Sequence, residues 1–179
     1  MATDDEAYKV FGDLFGPIIK DIHPRFDYRY SYNYEALSLD AIEKHIFDIR
    51  SSIDKVVDFK ISIARNFKDT PFAPLMTRES KLQVERKVVE VLGDLYGTYH
   101  QLPKLSEENV EWLKERVGID PHHKSIEHDA GGLNDDHPVG RGIFIQDQKD
   151  FVVLVNFEEH IKIIVLRDDL SDKGHLDTL

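Results

Sequence analysis

The stretch V-G-R-G-I-F-I-Q-D-Q-K-D-F-V-V-L-V-N-F-E-E-H-I-K-I-I-V-L, residues 139–166, decides the fold of this chain. It predicts three short strands at residues 143–145, 151–155 and 161–166, joined by polar turns at 146–150 and 156–159. The middle run is apolar without a break and mostly β-branched, which is typical of a strand buried on both faces. The sequence therefore predicts that this sheet is the folding core.

The rest of the chain predicts helices around that sheet. Apolar residues recur every three or four positions in four segments, at 7–22, 38–57, 77–95 and 106–117. Thr77 and Ser106 are the expected N-caps of the last two helices. Gly16-Pro17 predicts a break in the first of these helices. Two further short strands are expected at residues 59–64 and 97–100. The fold class is α+β, an antiparallel sheet packed against helices.

Composition excludes several classes of function. The chain has 179 residues and a formal net charge of -11, so a nucleic-acid partner is not expected, because phosphate backbones need a basic face. It has no cysteine, which excludes disulfides, cysteine-rich zinc sites and a cysteine nucleophile. No signal peptide and no apolar run of about 20 residues is visible, so we expect an intracellular protein without membrane insertion.

An aromatic side chain stands at every second position of one segment: Phe26, Tyr28, Tyr30, Tyr32 and Tyr34. Strict alternation predicts an extended segment with one aromatic face. Two interpretations stay open. The segment packs on its own domain, or it docks on another protein, because tyrosine rings bury area while their hydroxyl groups stay hydrogen-bonded.

A histidine-rich segment, residues 119–138, is the first candidate for chemistry. His122, His123, His128 and His137 lie there among carboxylates, and such a set suits zinc or nickel. Their spacing matches no metal motif, so a solvated loop without a metal is predicted.

Two other candidates are weaker. The glycine-rich turns at 131–132 and 140–142 precede no Lys-Ser or Lys-Thr pair, so neither is a phosphate-binding P-loop. Glu158 and Glu159 follow a buried strand, where a carboxylate can act as a base, but two acids in a hairpin turn are more often solvated.

Several of these segments resemble the phosphagen (guanidino) kinases, arginine kinases above all. G-R-G-I-F at 140–144 and F-V-V-L-V-N-F-E-E-H-I-K-I-I at 151–164 are similar to that family's S-G-R-G-I-Y and F-L-V-W-C-N-E-E-D-H-L-R-I-I. The family has counterparts to three further segments as well: G-T-Y at 97–99, P-F-A-P at 71–74 and the helix at 10–23. The resemblance implies a partial guanidino-kinase catalytic domain at 59–167, a helical and aromatic segment at 1–58 and a polar tail at 168–179.

The resemblance also implies where a catalytic site would lie. In that family a guanidino group attacks the γ-phosphate of MgATP, held by two acidic residues and by arginines around the phosphates. The two acids fall on Phe157 and Glu158, and a phosphate arginine falls on Lys162. The family's S-T-R-V-R strand falls on residues 62–66, where Ala64 and Asn66 stand at the arginine positions. A shift of the alignment recovers Arg65 as one arginine but cannot recover two. Glu158 is therefore expected as a remnant of the catalytic residues, and Arg65 and Lys162 as remnants of nucleotide binding.

These departures suggest a truncated relative without kinase activity, because the family's domain continues beyond H-L-R-I-I with further phosphate arginines and a reactive cysteine. The expected function is a structural or protein-interaction subunit of a larger assembly in the cytoplasm, in a cytoskeletal or axonemal setting, with no cofactor. The alternative is an ATP:guanidino phosphotransferase or ATP-binding protein that uses MgATP, including by pairing with a full-length relative.

Overall fold

The fold is described by a computed structural model over residues 2–24 and 58–167. Numbered over these residues, its elements are α1 (Ala7–Val10), α2 (Gly12–Ile22), β1 (Phe59–Arg65), α3 (Arg78–Leu92), β2 (Gly97–Gln101), α4 (Glu107–Trp112), α5 (Ile126–Ala130), β3 (Gly142–Gln146), β4 (Phe151–Val155) and β5 (Ile161–Arg167). The predicted helix at 38–57, the aromatic segment from Phe26 to Tyr34 and the polar tail lie outside the described residues. The predictions made for them stay predictions.

The five strands form one sheet in the order β1-β5-β4-β3-β2. β2 to β5 pair antiparallel, with Phe144 opposite Val153 and Val153 opposite Ile163. The predicted antiparallel sheet and the α+β class are thus confirmed. β1 and β2 are the outer strands, and the 139–166 stretch supplies the centre.

The central strand β4 is buried on both of its faces, as its unbroken apolar run predicts. Val152 and Leu154 pack on one side of the sheet in a cluster with Leu113 and Val117. The alternate residues Val153 and Val155 pack on the other side with α3. Each such side chain contributes about 1.5–3 kcal/mol of transfer free energy when fully buried. Burial of β4 therefore stabilises the packing on both faces of the sheet.

Helix α3 begins where its capping residue predicts. The Thr77 side chain accepts a hydrogen bond from the backbone N–H of Ser80 at 3.2 Å. The helix ends at Leu92, three residues before the predicted end, and Leu92 rather than Val91 faces the core.

The predicted fourth helix is also present, in two parts. The Ser106 side chain caps α4, accepting from the backbone N–H of Asn109, and the chain continues from Leu113 to Val117 in a wider π-helical turn. Gly118 then ends the helix with a left-handed φ of 73°, a conformation that glycine adopts without a steric penalty.

The prediction of a purely solvated loop at 119–138 is wrong. This segment contains α5, whose first turn is capped by the Ser125 side chain accepting from the backbone N–H of His128. Leu133 and Pro121 are buried. The helix was not predicted because the few apolar residues of this segment show no helical period. The Ser125 cap alone, among many histidines and acids, is a weak signal.

The chain divides into two compact units, one formed by residues 1–5 and 60–166 and the other by 6–59 and 167–179. In the second unit, helices α1 and α2 meet at Phe11, which has a non-helical φ of -108°. The break predicted near Gly16 is wrong, because α2 accommodates Pro17 internally by giving up a backbone hydrogen bond. The apolar side chains of Phe11, Leu14 and Ile18 are exposed.

Candidate functional site

A cleft of about 320 Å³ lies beside the turn between β4 and β5. The segment after α4, the α5 region and the ends of β4 and β5 contribute its lining residues, which are Gly118, Ile119, Asp120, His123, His128, Arg141, Leu154, Phe157, Glu158, Glu159 and Lys162. Acids, cations and an aromatic ring thus meet in one depression. Its volume lies at the lower end of the range of small-molecule sites.

The cleft contains two of the three site residues expected from the resemblance. Glu158 and Lys162 both line it. Arg65 does not, because its side chain is exposed on β1 and donates to the carbonyl of its own neighbour Ala64 at 2.7 Å. Arg65 therefore supplies no positive charge to the cleft.

Phe157 fills the position that the resemblance assigns to the first of two carboxylates. Its ring lies beneath the guanidinium of Arg141, with Cζ 5.7 Å from the ring centroid. An aromatic ring attracts a cation through its quadrupole but accepts no N–H hydrogen bond as a carboxylate does. Of the two positions that the resemblance assigns to carboxylates, Glu158 alone keeps its acid, although Asp120 and Glu159 also line the cleft.

Arg141 is the buried cation of the cleft. The nucleotide-binding alternative expects Arg65, Arg141 and Lys162 to converge on an open cleft, and of these three Arg141 and Lys162 line it. Nη2 donates to the carbonyl of Leu133 at 2.6 Å, and Nη1 contacts Asn134 Oδ1 at 3.1 Å and His137 Nδ1 at 3.0 Å. Burial lowers the pKa of Arg141, but the guanidinium stays charged at neutral pH. A single arginine between two glycines at a strand start was the available signal.

The acidic side of the cleft is partly engaged. His128 Nε2 lies 3.5 Å from Glu158 Oε1, and Lys114 Nζ lies 3.1 Å from Asp120 Oδ2. The Glu159 Oε2 atom is buried and has no hydrogen-bond partner within the described part of the chain. Such an acceptor is suited to a donor supplied by a ligand or by water.

The four histidines of the 119–138 segment do not converge. His123 and His128 line the cleft, whereas His137 contacts Arg141. Within residues 2–24 and 58–167, no three His, Asp or Glu side chains are placed to hold a metal ion. In the same residues, no helix has the length and apolar composition of a membrane span.

The backbone behind the cleft is fixed by Asn156 at the end of β4. Its side-chain amide donates to the carbonyls of Lys81 at 2.9 Å and Gly140 at 2.7 Å. Gly140 has a left-handed φ of 69°, and a Cβ there would lie 2.8 Å from Lys81 Cβ. Both the conformation and the close approach require glycine, so the G-R-G turn has a structural role.

His160 connects the other side of this turn to the loop after β1. Its Nδ1 accepts from the backbone N–H of Phe67 at 2.9 Å, and its Nε2 lies 2.8 Å from the carbonyl oxygen of Pro71. This pairing requires the neutral ring with its proton on Nε2. Burial lowers the pKa of His160 below its ordinary value of 6.5.

We expect the stability of the chain to fall at acidic pH through this histidine. With its folded pKa below 6.5, the unfolded chain binds the proton more tightly, so folding stability is complete above that pH and decreases as pH falls below it. The loss is at most about 1.4 kcal/mol per pH unit for each such group. Urea unfolding of the parent and of His160→Gln between about pH 7.5 and about pH 5.5 measures it, because glutamine does not titrate there.

The variant should show the smaller pH slope. His137 has a pKa lowered by burial and then by Arg141, so it contributes a slope of the same sign to both proteins. Equal slopes for parent and variant would contradict the assignment to His160.

The comparisons with known proteins agree with this geometry. Residues 81–177 match the model of the family described as ATP:guanido phosphotransferase, C-terminal catalytic domain. An arginine kinase of Anthopleura japonica is 33% identical over 97% of this chain and 24% of its own length, and one of Stichopus japonicus is 32% identical over 93% and 45%.

The solved structures lead to the same family. The substrate-free duplicated taurocyamine kinase from Schistosoma mansoni superimposes with a TM-score of 0.74 at 28% identity, over 99% of this chain and 26% of that one. The chain thus spans 24%, 45% and 26% of the lengths of these three relatives, which is less than half in each case. The strand order, the cleft and the matched residues lead to one conclusion: this chain belongs to the ATP:guanido phosphotransferase (phosphagen kinase) family.

Proposed function

We propose that this chain is a phosphagen kinase family member without phosphotransfer activity, which acts by binding other proteins. The observation that carries the proposal is the pairing of Phe157 with Arg141 in the cleft, at 5.7 Å. By resemblance the family holds the guanidinium with two carboxylates, and here the first of these two positions carries the ring of Phe157 and the second carries Glu158. Glu158 is also close to His128, which competes for the same oxygen.

The phosphate side of the cleft supports the same proposal. By resemblance the family uses arginines where this chain has Lys162 and, on β1, Arg65. Lysine keeps the charge but cannot form the bidentate fork that a phosphoryl group accepts. Arg65 is exposed and lies outside the cleft. Each missing charge-stabilising donor raises a reaction barrier by about 2.7–4 kcal/mol, and two or three such losses remove most of the catalysis.

Exposed apolar side chains support the interaction role. Ile61 and Ile63 on the outer strand β1 are exposed. Within the other unit, Phe11 at the junction of α1 and α2 and Leu14 and Ile18 of α2 are exposed as well. Apolar surface beside an outer strand is typical of a protein-protein contact. Docking by Phe26, Tyr28, Tyr30, Tyr32 and Tyr34, and a cytoplasmic, cytoskeletal or axonemal setting, belong to this proposal.

A second function is favoured by one specific observation. Arg141 and Lys162 line the same cleft as Glu159, whose buried Oε2 has no hydrogen-bond partner among the described residues. The cleft therefore offers two cations and one acceptor to a charged ligand. The alternative is therefore an ATP-binding protein, or an ATP:guanidino phosphotransferase with MgATP as cofactor. Here Lys162 and Arg141 would contact phosphate oxygens and Glu158 would contact the guanidino group.

Calorimetric titration with MgATP, with and without arginine or taurocyamine, separates the two functions. We expect no saturable heat from the folded chain and no ADP in a coupled assay. Saturable binding at micromolar to low millimolar MgATP, or any turnover, would overturn the primary proposal in favour of the alternative.

The same titration is to be repeated with the variant Phe157→Glu and compared with the parent chain. It restores the second acid beside Arg141, so guanidino-ligand binding should rise measurably above the parent. Phe157→Leu is the control, because it removes the ring without adding a charge and should bind no better than the parent.

A further inference from the structure

The outer strand β2 has a hydrogen-bonded neighbour on one side of the sheet, which is β3. The strand is followed by a 3-10 turn, Leu102–Lys104, and preceded by the turn that follows α3. Among residues 2–24 and 58–167, no strand pairs with the other edge of β2, which lies at the side of the sheet opposite β1.

The register shows which backbone groups are directed outward. Leu102 N donates to Arg141 O at 2.9 Å, and Asp147 N donates to Tyr96 O at 3.4 Å. Both contacts fit the β2–β3 register, so alternate residues from Tyr96 to Leu102 bond to β3. The backbone N–H and C=O groups of Gly97, Tyr99 and Gln101 consequently face away from the sheet.

The surface beside this edge of β2 carries several exposed apolar side chains. Tyr96 is 86% exposed, Leu95 47% and Val91 72%. A groove of about 660 Å³ between α3 and β2 adds Glu85, Tyr99 and Lys104. Unpaired backbone groups and exposed apolar side chains at one edge are the features that lead strands to pair between chains.

We propose that a second copy of this chain pairs with β2 through a two-fold axis at Tyr99. In that antiparallel register Tyr99 faces Tyr99 of the second copy, and Gly97 faces Gln101 of the second copy. Each pair joins residues whose N–H and C=O both point outward, so donors meet acceptors along the strand. The two sheets then form one continuous sheet.

Charge complementarity selects a second copy over an unrelated strand. Asp94 precedes β2 and Lys104 ends the turn that follows it, so the strand has an acidic end and a basic end. Neither side chain has an ion-pair partner among residues 2–24 and 58–167. An antiparallel two-fold arrangement brings the Asp94 end of one copy beside the Lys104 end of the other, twice. This inference is independent of whether the cleft binds a nucleotide.

Gln101→Pro tests the pairing without changing the strand path. Gln101 has φ -60° and ψ 139°, angles that proline adopts, and its N–H is directed outward rather than to β3. The full parent chain should show concentration-dependent dimers by sedimentation equilibrium. In the variant, the two lost interchain hydrogen bonds should weaken dimerisation about ten- to hundredfold. Gln101→Ala keeps the N–H and should dimerise like the parent.

The charged ends provide a rescue experiment. Lys104→Asp alone places two acids together at each end of the pair and should weaken the dimer. Adding Asp94→Lys restores opposite charges and should recover the parent's association. A contact through any other surface would show no such recovery.

Cysteine pairing checks the register directly, since the chain contains no cysteine of its own. In the proposed register Thr98 faces His100 of the second copy at a non-hydrogen-bonded position, where Cβ atoms lie about 4.5–5.5 Å apart. A mixture of Thr98→Cys and His100→Cys chains should form the mixed disulfide in preference to either self-pair. A monomeric parent chain, or equal linking of all pairs, would overturn the proposal.

Discussion

Replacing His160 by alanine is expected to lower the free energy of unfolding by about 3–5 kcal/mol. The ring is fully buried, and its removal leaves the Phe67 N–H and the Pro71 carbonyl without their partner. Each orphaned group costs about 1–3 kcal/mol, and the cavity adds to that loss. Urea unfolding at neutral pH measures the difference.

The control for this prediction is His128→Ala. His128 is near Glu158 at the mouth of the cleft and has an exposed fraction of 27%. Its loss should change stability by about 1 kcal/mol or less, since pairs near the solvent are weak. If both alanine variants were equally stable, the bridging role of His160 would be wrong.

The second large effect is expected for Arg141→Met. The change keeps an unbranched side chain but removes the donors to Leu133 O, Asn134 and His137. Hydrogen bonds from a charged donor contribute about 1.5–3 kcal/mol each, so a loss of about 3 kcal/mol or more follows. Thermal and urea unfolding measure it.

Two measurements distinguish hydrogen bonding by the Arg141 guanidinium from van der Waals packing of its side chain. Arg141→Lys should recover little of the loss, because an ammonium group cannot serve three acceptors in a plane. In addition, the pKa of His137, lowered first by burial and next by Arg141, should rise in Arg141→Met when followed by NMR. An unchanged His137 pKa together with full stability of Arg141→Lys would contradict the prediction.

The sheet could be predicted from the sequence because its signals are local. The unbroken run from Phe151 to Val155 specifies a strand buried on both faces whatever surrounds it. Thr77 and Ser106 predicted helix starts for the same reason, since a cap bonds to the backbone two or three residues away. Where the signal was weak, as at Ser125, the helix was missed.

The site could be predicted only in part, because its residues come together through the tertiary fold. Glu158 and Lys162 flank one turn and were found through the motif around them. Arg141 was expected at the cleft under the nucleotide-binding alternative, but its bonds to Leu133, Asn134 and His137 could not be predicted, because they depend on the folding of a segment without periodicity. The direction of Arg65 depends on the path of an outer strand, which no residue pattern specifies.

The strand order has a consequence for how this protein folds during synthesis. The three central strands, β3 to β5, are the last described strands to leave the ribosome, while β1 and β2 emerge first and join the outside of the sheet. β1 therefore waits until β5 is made, across a long sequence separation whose closure is slow. Through that interval the backbone edge that β1 later pairs with β5 is unpaired, and an unpaired strand edge makes the early part of the chain prone to aggregation.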